Sequence, residues 1–217
     1  MKILAIEFSS DHRSIAVFED DQLLAERTVC EGRNTAAVQL IEATLAAAKT
    51  ERKQIECIAV GIGPGSYTGI RAAIALTQGW QVATGVQVQA VDSLEALALG
   101  QHVAGARGEI TFAVDAARGE FYLAKFELGE DGIRNLEPTR LAKRSEYEAL
   151  LAREQPIIGP SFAEKYPEAS ERFPSAEFVG RLAGRLTDFI EASELEPVYL
   201  RKVDFVKAPP LREIPPA

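Results

Sequence analysis

Four glycines and a proline fall within nine residues at Gly61-Ile62-Gly63-Pro64-Gly65-Ser66-Tyr67-Thr68-Gly69, and this stretch is the first place to look for chemistry. Ile58-Ala59-Val60 ahead of it has the composition of a short buried strand. Ile70 to Gln78 behind it is Ala-rich and helix-forming. In a strand–turn–helix unit the free N–H groups of the first helical turn face the loop, where an anion can be received. Gly63, Gly65, Ser66 and Thr68 are then candidate nucleotide contacts, with Gly61, Gly69 and Arg71 shaping the loop. The pattern is not a Walker A loop, because Arg71 does not sit where the lysine of G-x-x-x-x-G-K-[ST] must. A dinucleotide fingerprint also fails, since no glycine stands three places after Gly65. Two readings stay open: an anion loop, or a tight turn whose glycines let a helix pack close to a sheet.

Other reactive side chains are sparse. Ser66 lacks the flanking glycines of a nucleophile elbow, with Pro64 and Thr68 in their places. The chain has two histidines, His12 and His102, in no metal-ligand spacing, and two cysteines, Cys30 and Cys57, which read as reduced core-type residues. Glu7 and Asp115 each end an apolar run. Facing one another across a cleft, with Ser10 nearby, they could hold magnesium through waters, or simply sit in solvated turns. Arg118, Glu120 and Tyr122 follow Asp115 as a polar cluster. The net charge of −8 makes the chain a poor autonomous nucleic-acid binder, so a partner would have to supply positive surface. No charged-then-apolar signal region is present and no apolar run reaches membrane-spanning length, so a cytoplasmic protein with no membrane partner is expected.

The elements that must position these residues follow from periodicity. Ile3 to Phe8, Ser14 to Phe18 and Leu23 to Val29 read as three short strands in an antiparallel meander. Residues 35–49 read as an amphipathic helix with Val38, Ile41 and Leu45 on one face. The helix after the glycine loop runs to about Val82, a strand covers Val86 to Val91, and Ser93 is the expected cap of a helix through Leu99. Strands over 110–115 and 120–126 then restart the pattern. Glu7 and Asp115 lie 108 residues apart, and Ser14–Phe18 maps onto Tyr122–Phe126 at the same offset. This spacing predicts a duplicated α/β architecture, with residues 1–104 as an N-terminal half completed by the tail 193–217, and 105–192 as a smaller C-terminal half. Helices over 144–153 and 176–192 and a short strand at 156–160 complete the second half.

Several stretches together resemble the TsaB (YeaZ) family. Ile3-Leu4-Ala5-Ile6-Glu7-Phe8-Ser9-Ser10 is similar to that family's opening I-L-A-I-D-T-S/T, and Gly63 to Arg71 to its signature G-P-G-S-F-T-G-[LVI]-R. Val91-Asp92-Ser93-Leu94, Asp115 to Tyr122 and Pro197-Val198-Tyr199-Leu200-Arg201 resemble its V-S-T/S-L, D-A-R-x-x-E-V-Y and P-x-Y-L-R. Glu7 stands in place of Asp, Asn34 in place of a frequent His, and Ala117 in place of the first Arg. The resemblance implies an actin-like ATPase fold of two RNase H-like halves. It also implies a subunit needed for threonylcarbamoyl modification of tRNA, paired with the catalytic homologue TsaD and the ATPase TsaE. The catalytic homologue holds its metal with histidines, which makes this chain a non-catalytic scaffold with no cofactor of its own. ATP or ADP with magnesium would then bind at the partner interface, and tRNA would be met only through the complex. The partner face is expected on the charge-poor helices, through Val38, Ile41, Leu45, Ile70, Ile74, Thr77 and Gln78, and the same faces would form a homodimer when the chain is alone. A stand-alone nucleotide-binding ATPase of the same fold is the alternative.

Overall fold

A computed structural model describes residues 1–30, 37–160, 166 and 169–200. The expected start of the first helix at Thr35, the departure at Asn34 and the tail beyond 200 lie outside these residues. Strands β1 (Lys2–Glu7), β2 (Arg13–Glu19) and β3 (Gln22–Val29) form the expected antiparallel meander. Helix α1 (Ala37–Ala47) leads to β4 (Cys57–Gly61), which pairs parallel to β1. Helix α2 (Tyr67–Thr84) leads to β5 (Gln87–Val91), parallel to β4, and α3 (Ser93–Val103) follows. The strand order is β3-β2-β1-β4-β5. Central β1 is buried on both faces, which is why it reads as an unbroken apolar run rather than an alternation.

The second half repeats this plan. β6 (Gly108–Asp115), β7 (Glu120–Leu128) and β8 (Ile133–Lys143) are an antiparallel meander, followed by α4 (Arg144–Leu151). β9 (Ile157–Gly159) pairs parallel to β6, β10 (Ser170–Glu171) pairs parallel to β9, and α5 (Ala176–Ala183) follows. Reversing the printed order gives β8-β7-β6-β9-β10, strand for strand the connectivity of the first sheet. The fold is thus α/β and duplicated, with two mixed five-stranded sheets flanked by helices. Strand β8 has no counterpart among the sequence-level expectations. Its Pro138 and its charges at 134, 137, 140 and 143 hide the strand pattern, and they suit an edge.

Two boundaries differ from expectation. Helix α5 ends at Ala183 rather than Ala192, because the chain beyond it is spent covering the edge of β5. The amide of Ile190 donates to the carbonyl of Val88 (2.9 Å), and the Gln89 side-chain amide donates to the carbonyl of Leu186 (3.0 Å). Helix α5 also does not belong to the second half. Its Ala176, Val179, Leu182 and Ala183 pack on Ile3, Ala5, Ala16 and Phe18 of the first sheet. The return therefore begins near residue 176 and not at 193. Periodicity shows that a helix has an apolar face, but not which sheet that face meets. Helix α3 is shared, with Ala96 and Leu99 toward the first sheet and Leu94, Leu97 and Ala98 toward the second.

The close seating of α5 depends on Gly180, since a Cβ there would lie 2.3 Å from the buried ring of Phe18. Gly180→Ala is expected to cost about 1–3 kcal/mol through overpacking. Gly79→Ala, in the exposed interior of α2 where a Cβ meets nothing, is expected to stabilise by about 0.4–1 kcal/mol. Urea denaturation of both variants gives opposite signs if the packing is as described.

Candidate functional site: the glycine loop, Glu7 and the start of helix 3

The glycine loop lies directly on the end of β1. A Cβ at Gly61 would stand 2.0 Å from Glu7 Oε2, one at Gly65 2.1 Å from the Ser9 carbonyl oxygen, and one at Gly69 2.0 Å from the Phe8 carbonyl oxygen. Three of the four glycines thus permit one close approach to residues 7–9, and Gly63 adds a left-handed φ of +92°. Several of the loop's donors are used inside the protein. Gly63 N–H donates to Ser93 Oγ (3.1 Å), Ser66 N–H to the Ser9 carbonyl (2.7 Å), and Gly69 N–H to Ser66 Oγ (3.3 Å). Ser66 is therefore the N-cap of α2 and not a nucleophile, while Thr68 points to solvent. These contacts account for the loop as a tight turn that lets α2 pack close to the sheet.

Glu7 is the other partner in this contact, and it is wholly buried. Its Oε1 accepts from the Ser9 amide (2.6 Å) and its Oε2 from the Ser93 hydroxyl (2.7 Å). Burial raises its pKa above the ordinary carboxylate value, against the pull of those hydrogen bonds. The Ser93 amide donates to the Gly63 carbonyl (2.9 Å), which closes the link between β1, the loop and α3. Ser93 was the expected cap of α3, yet Asp92 has that role. Asp92 Oδ1 accepts from the Leu94 and Glu95 amides (2.7 and 3.1 Å), and Oδ2 accepts from the Thr139 hydroxyl of β8 (3.2 Å). One residue pair thus binds both halves, Ser93 to the first and Asp92 to the second. Burial also raises the Asp92 carboxyl.

The expected pair of facing acids is not formed. Glu7 shares its face of β1 with Ile3 and Ala5, toward α3 and α5, whereas Asp115 alternates with Val114, which packs toward α3. Asp115 therefore lies on the other face of its sheet with Ala113, and it is exposed, its Oδ1 accepting from the Ala117 amide (2.7 Å). An offset of 108 matches acids along the chain but not faces, because one residue of register turns a side chain to the opposite side. Ser10 is also taken by its own turn, its hydroxyl accepting from the His12 amide (3.2 Å). Of the residues proposed for nucleotide contact, Glu7 and the glycine loop are thus brought together at the end of β1, whereas Asp115 lies on the other face of the second sheet. Among the described residues no group of three or more His, Cys, Asp or Glu side chains could hold a metal ion. Cys57 is buried, and desolvation pushes its thiol up to about 12.

The partner-face residues divide in the same way. Ile41, Leu45, Ile70, Ile74 and Thr77 are buried in the protein's own core, and Gln78 is half-buried with its amide on the Ala192 carbonyl (3.0 Å). Only Val38 stands out, at 51% exposed. Large apolar residues at helical spacing are drawn to the sheet that the helix covers. The outward face of α2 includes Tyr67, Arg71, Ala75, Gly79, Val82 and Ala83, with Thr68 and Thr84 exposed near its ends. Its i, i+4 spacing was readable in the sequence, but small residues give a weak apolar signal. Beside it a groove of about 480 Å³ runs between Ala75, Leu76, Gly79 and Trp80, rimmed by Arg52 and Lys53.

Two measurements test this geometry. Gly61→Ala drives a methyl into the Glu7 carboxylate and is expected to lower stability by about 2–4 kcal/mol in urea denaturation. A carboxyl whose folded pKa lies above its free value of 4.5 favours the folded state fully below about that pH, and this contribution is lost as pH rises through the folded value. Glu7→Gln should therefore flatten the decline of stability from pH 4.5 upward, by at most about 1.4 kcal/mol per pH unit. Asp92, shifted the same way, leaves a residual slope. Equal slopes in calorimetric scans of the two proteins would contradict the assignment.

Comparison with known proteins agrees with this architecture. The family model described as TsaD, tRNA N6-adenosine threonylcarbamoyltransferase, matches residues 33–208, well over half of the chain. The tRNA threonylcarbamoyladenosine biosynthesis protein TsaB of Escherichia coli is 29% identical over 147 residues, covering 67% of this chain and 64% of that protein. TsaB of Bacillus subtilis is 28% identical over 162 residues, covering 73% and 69%. The match thus spans less than two thirds of the length of the E. coli relative. A solved structure from Pseudomonas aeruginosa, described as similar to the peptidase YeaZ, superposes with a TM-score of 0.78 at 25% identity, over 92% of this chain and 99% of that one. Together, the matched model, these relatives and the shared two-sheet topology show that the chain belongs to the TsaB (YeaZ) family.

Proposed function

We propose that this chain is a non-catalytic subunit of the system that makes threonylcarbamoyladenosine on tRNA, docking on a TsaD-type catalytic subunit. The observation that carries the reading is the outward face of α2. Residues 70–84 contain a single charged side chain, Arg71, and Ala75, Gly79, Val82 and Ala83 are exposed on that face. A charge-poor helix face that meets water fits a surface that another protein covers. Small residues allow a partner helix to approach closely, and the adjoining groove can accept its larger side chains. The relatives' printed role in threonylcarbamoyladenosine biosynthesis supplies the pathway. The groups best placed for chemistry, Glu7 and Ser66, are engaged in holding the fold, which supports a scaffold rather than a catalyst.

In this reading the chain works in the cytoplasm, a TsaE-type ATPase joins the pair, and tRNA is met only through the complex. Without its partner the chain covers the same face with a second copy. It has no cofactor of its own, and ATP or ADP with magnesium binds at the subunit interface. The alternative, a stand-alone ATPase, requires a nucleotide site within this chain, and the engaged loop donors and divergent acids disfavour it.

Mixing the chain with the TsaD- and TsaE-type subunits of its source is expected to give a complex by size-exclusion chromatography and to support tRNA modification that fails when this chain is omitted. Gly79→Trp, which places a large side chain on the open face of α2, should weaken that complex at least tenfold. Undiminished modification without the chain would refute the scaffold reading. Magnesium-dependent ATP turnover by the isolated protein would favour the ATPase.

A further inference from the structure

We propose that Tyr67, Arg71 and Tyr199 form the energetic centre of the docking face, and that it takes a carboxylate side chain from the partner subunit. The inference rests on the docking role argued above and names the chemistry recognised there. Tyr67 is 59% exposed and Tyr199 40% exposed, yet their rings stack with centroids 5.2 Å apart and planes 20° from parallel. The Arg71 guanidinium lies 5.3 Å from the Tyr67 ring centroid. These residues come from distant parts of the chain and are brought together by backbone. The Val198 amide donates to the carbonyl of Ile62 (3.0 Å), which lays the segment carrying Tyr199 against the glycine loop. Upstream, Ala192 is fixed to α2 through both Gln78 and Gln81 (3.0 and 2.7 Å).

The cluster is preorganised, so little side-chain freedom remains to be lost on binding. Tyrosine and arginine surrounded by small apolar residues are the composition of interface hot spots. The charge points to the ligand. Arg71 is the one charged residue between 70 and 84, and among the described residues it makes no ion pair; its guanidinium lies over the Tyr67 ring and its charge acts on the Tyr199 hydroxyl. A guanidinium offers a planar fork that fits a carboxylate, and the tyrosine hydroxyls add neutral donors at its side. Burial raises the Tyr199 hydroxyl pKa and Tyr67 adds to the rise, against the lowering by the Arg71 charge, so the hydroxyl remains protonated and donating. A net charge of −8 makes a nucleic-acid strand an unfavourable occupant of the same patch.

The test is calorimetric titration of the TsaD-type subunit with the full chain and with Arg71→Gln, Arg71→Glu and Tyr199→Ala. Because all three side chains are exposed, thermal melts should show the variants folded. The wild-type affinity should fall as salt is raised from 50 to about 500 mM. Arg71→Gln should lose about thirtyfold at low salt and show little remaining salt dependence. Arg71→Glu should lose more, and Tyr199→Ala about tenfold. Affinities within twofold of wild type for the Arg71 and Tyr199 variants would overturn the hot spot while leaving the docking role standing. Absence of wild-type binding would remove the docking role itself and the hot spot with it. Binding of ATP or inorganic phosphate by the isolated chain, lost in Arg71→Gln, would assign the guanidinium to a small anion and likewise overturn the proposal.

Discussion

The buried carboxylate of Glu7, seated beneath Gly61 and hydrogen-bonded to Ser9 and Ser93, is the constraint on which the arrangement depends. A carboxylate at that depth is tolerated only while its donors stay in place, since an unsatisfied buried charge is far more costly than a satisfied one. Its two acceptors therefore fix the turn after β1 and the start of α3 together. The glycine loop is trapped between them, because only residues without a Cβ fit over residues 7–9. The direction of α2 follows from the loop, and with it the direction of the face that the helix turns to solvent. A motif that resembles a phosphate cradle in outline thus serves here as a joint.

That joint also connects the halves. Asp92 caps α3 and receives Thr139 from the second sheet, while Ser93 receives the loop and reaches Glu7 in the first. Helix α3 carries apolar residues toward both sheets, and α5 crosses back to cover the first. The two sheets are thus joined by a helix that contributes to the core of each. Asp115 lies on the far side of its sheet, on the face that Ala113 turns toward α4. On the outer surface α2 and the returning segment at 192–199 lie side by side.

Much was already written in the amino acids. Periods of two and of 3.6 residues gave the three-stranded meander, most of the helices and the restart after residue 104, and the glycine spacing marked the joint. These are local properties, carried by side-chain alternation and by φ, and neighbouring residues suffice to express them. Partners distant in the chain were another matter. The burial of Glu7, the capping role of Asp92 and the opposite faces of Glu7 and Asp115 depend on register and on which layer covers which sheet. So does the fate of Ile41, Leu45, Ile70 and Ile74, apolar enough for an interface but claimed first, together with Thr77, by the protein's own core. The stack of Tyr67 on Tyr199 joins residues 132 apart, held by a backbone hydrogen bond that no local pattern announces. Sequence determined which elements form and how their faces are divided, because those are short-range energies. Only the tertiary structure decided which faces were left to meet water, because that depends on the sum of long-range packing.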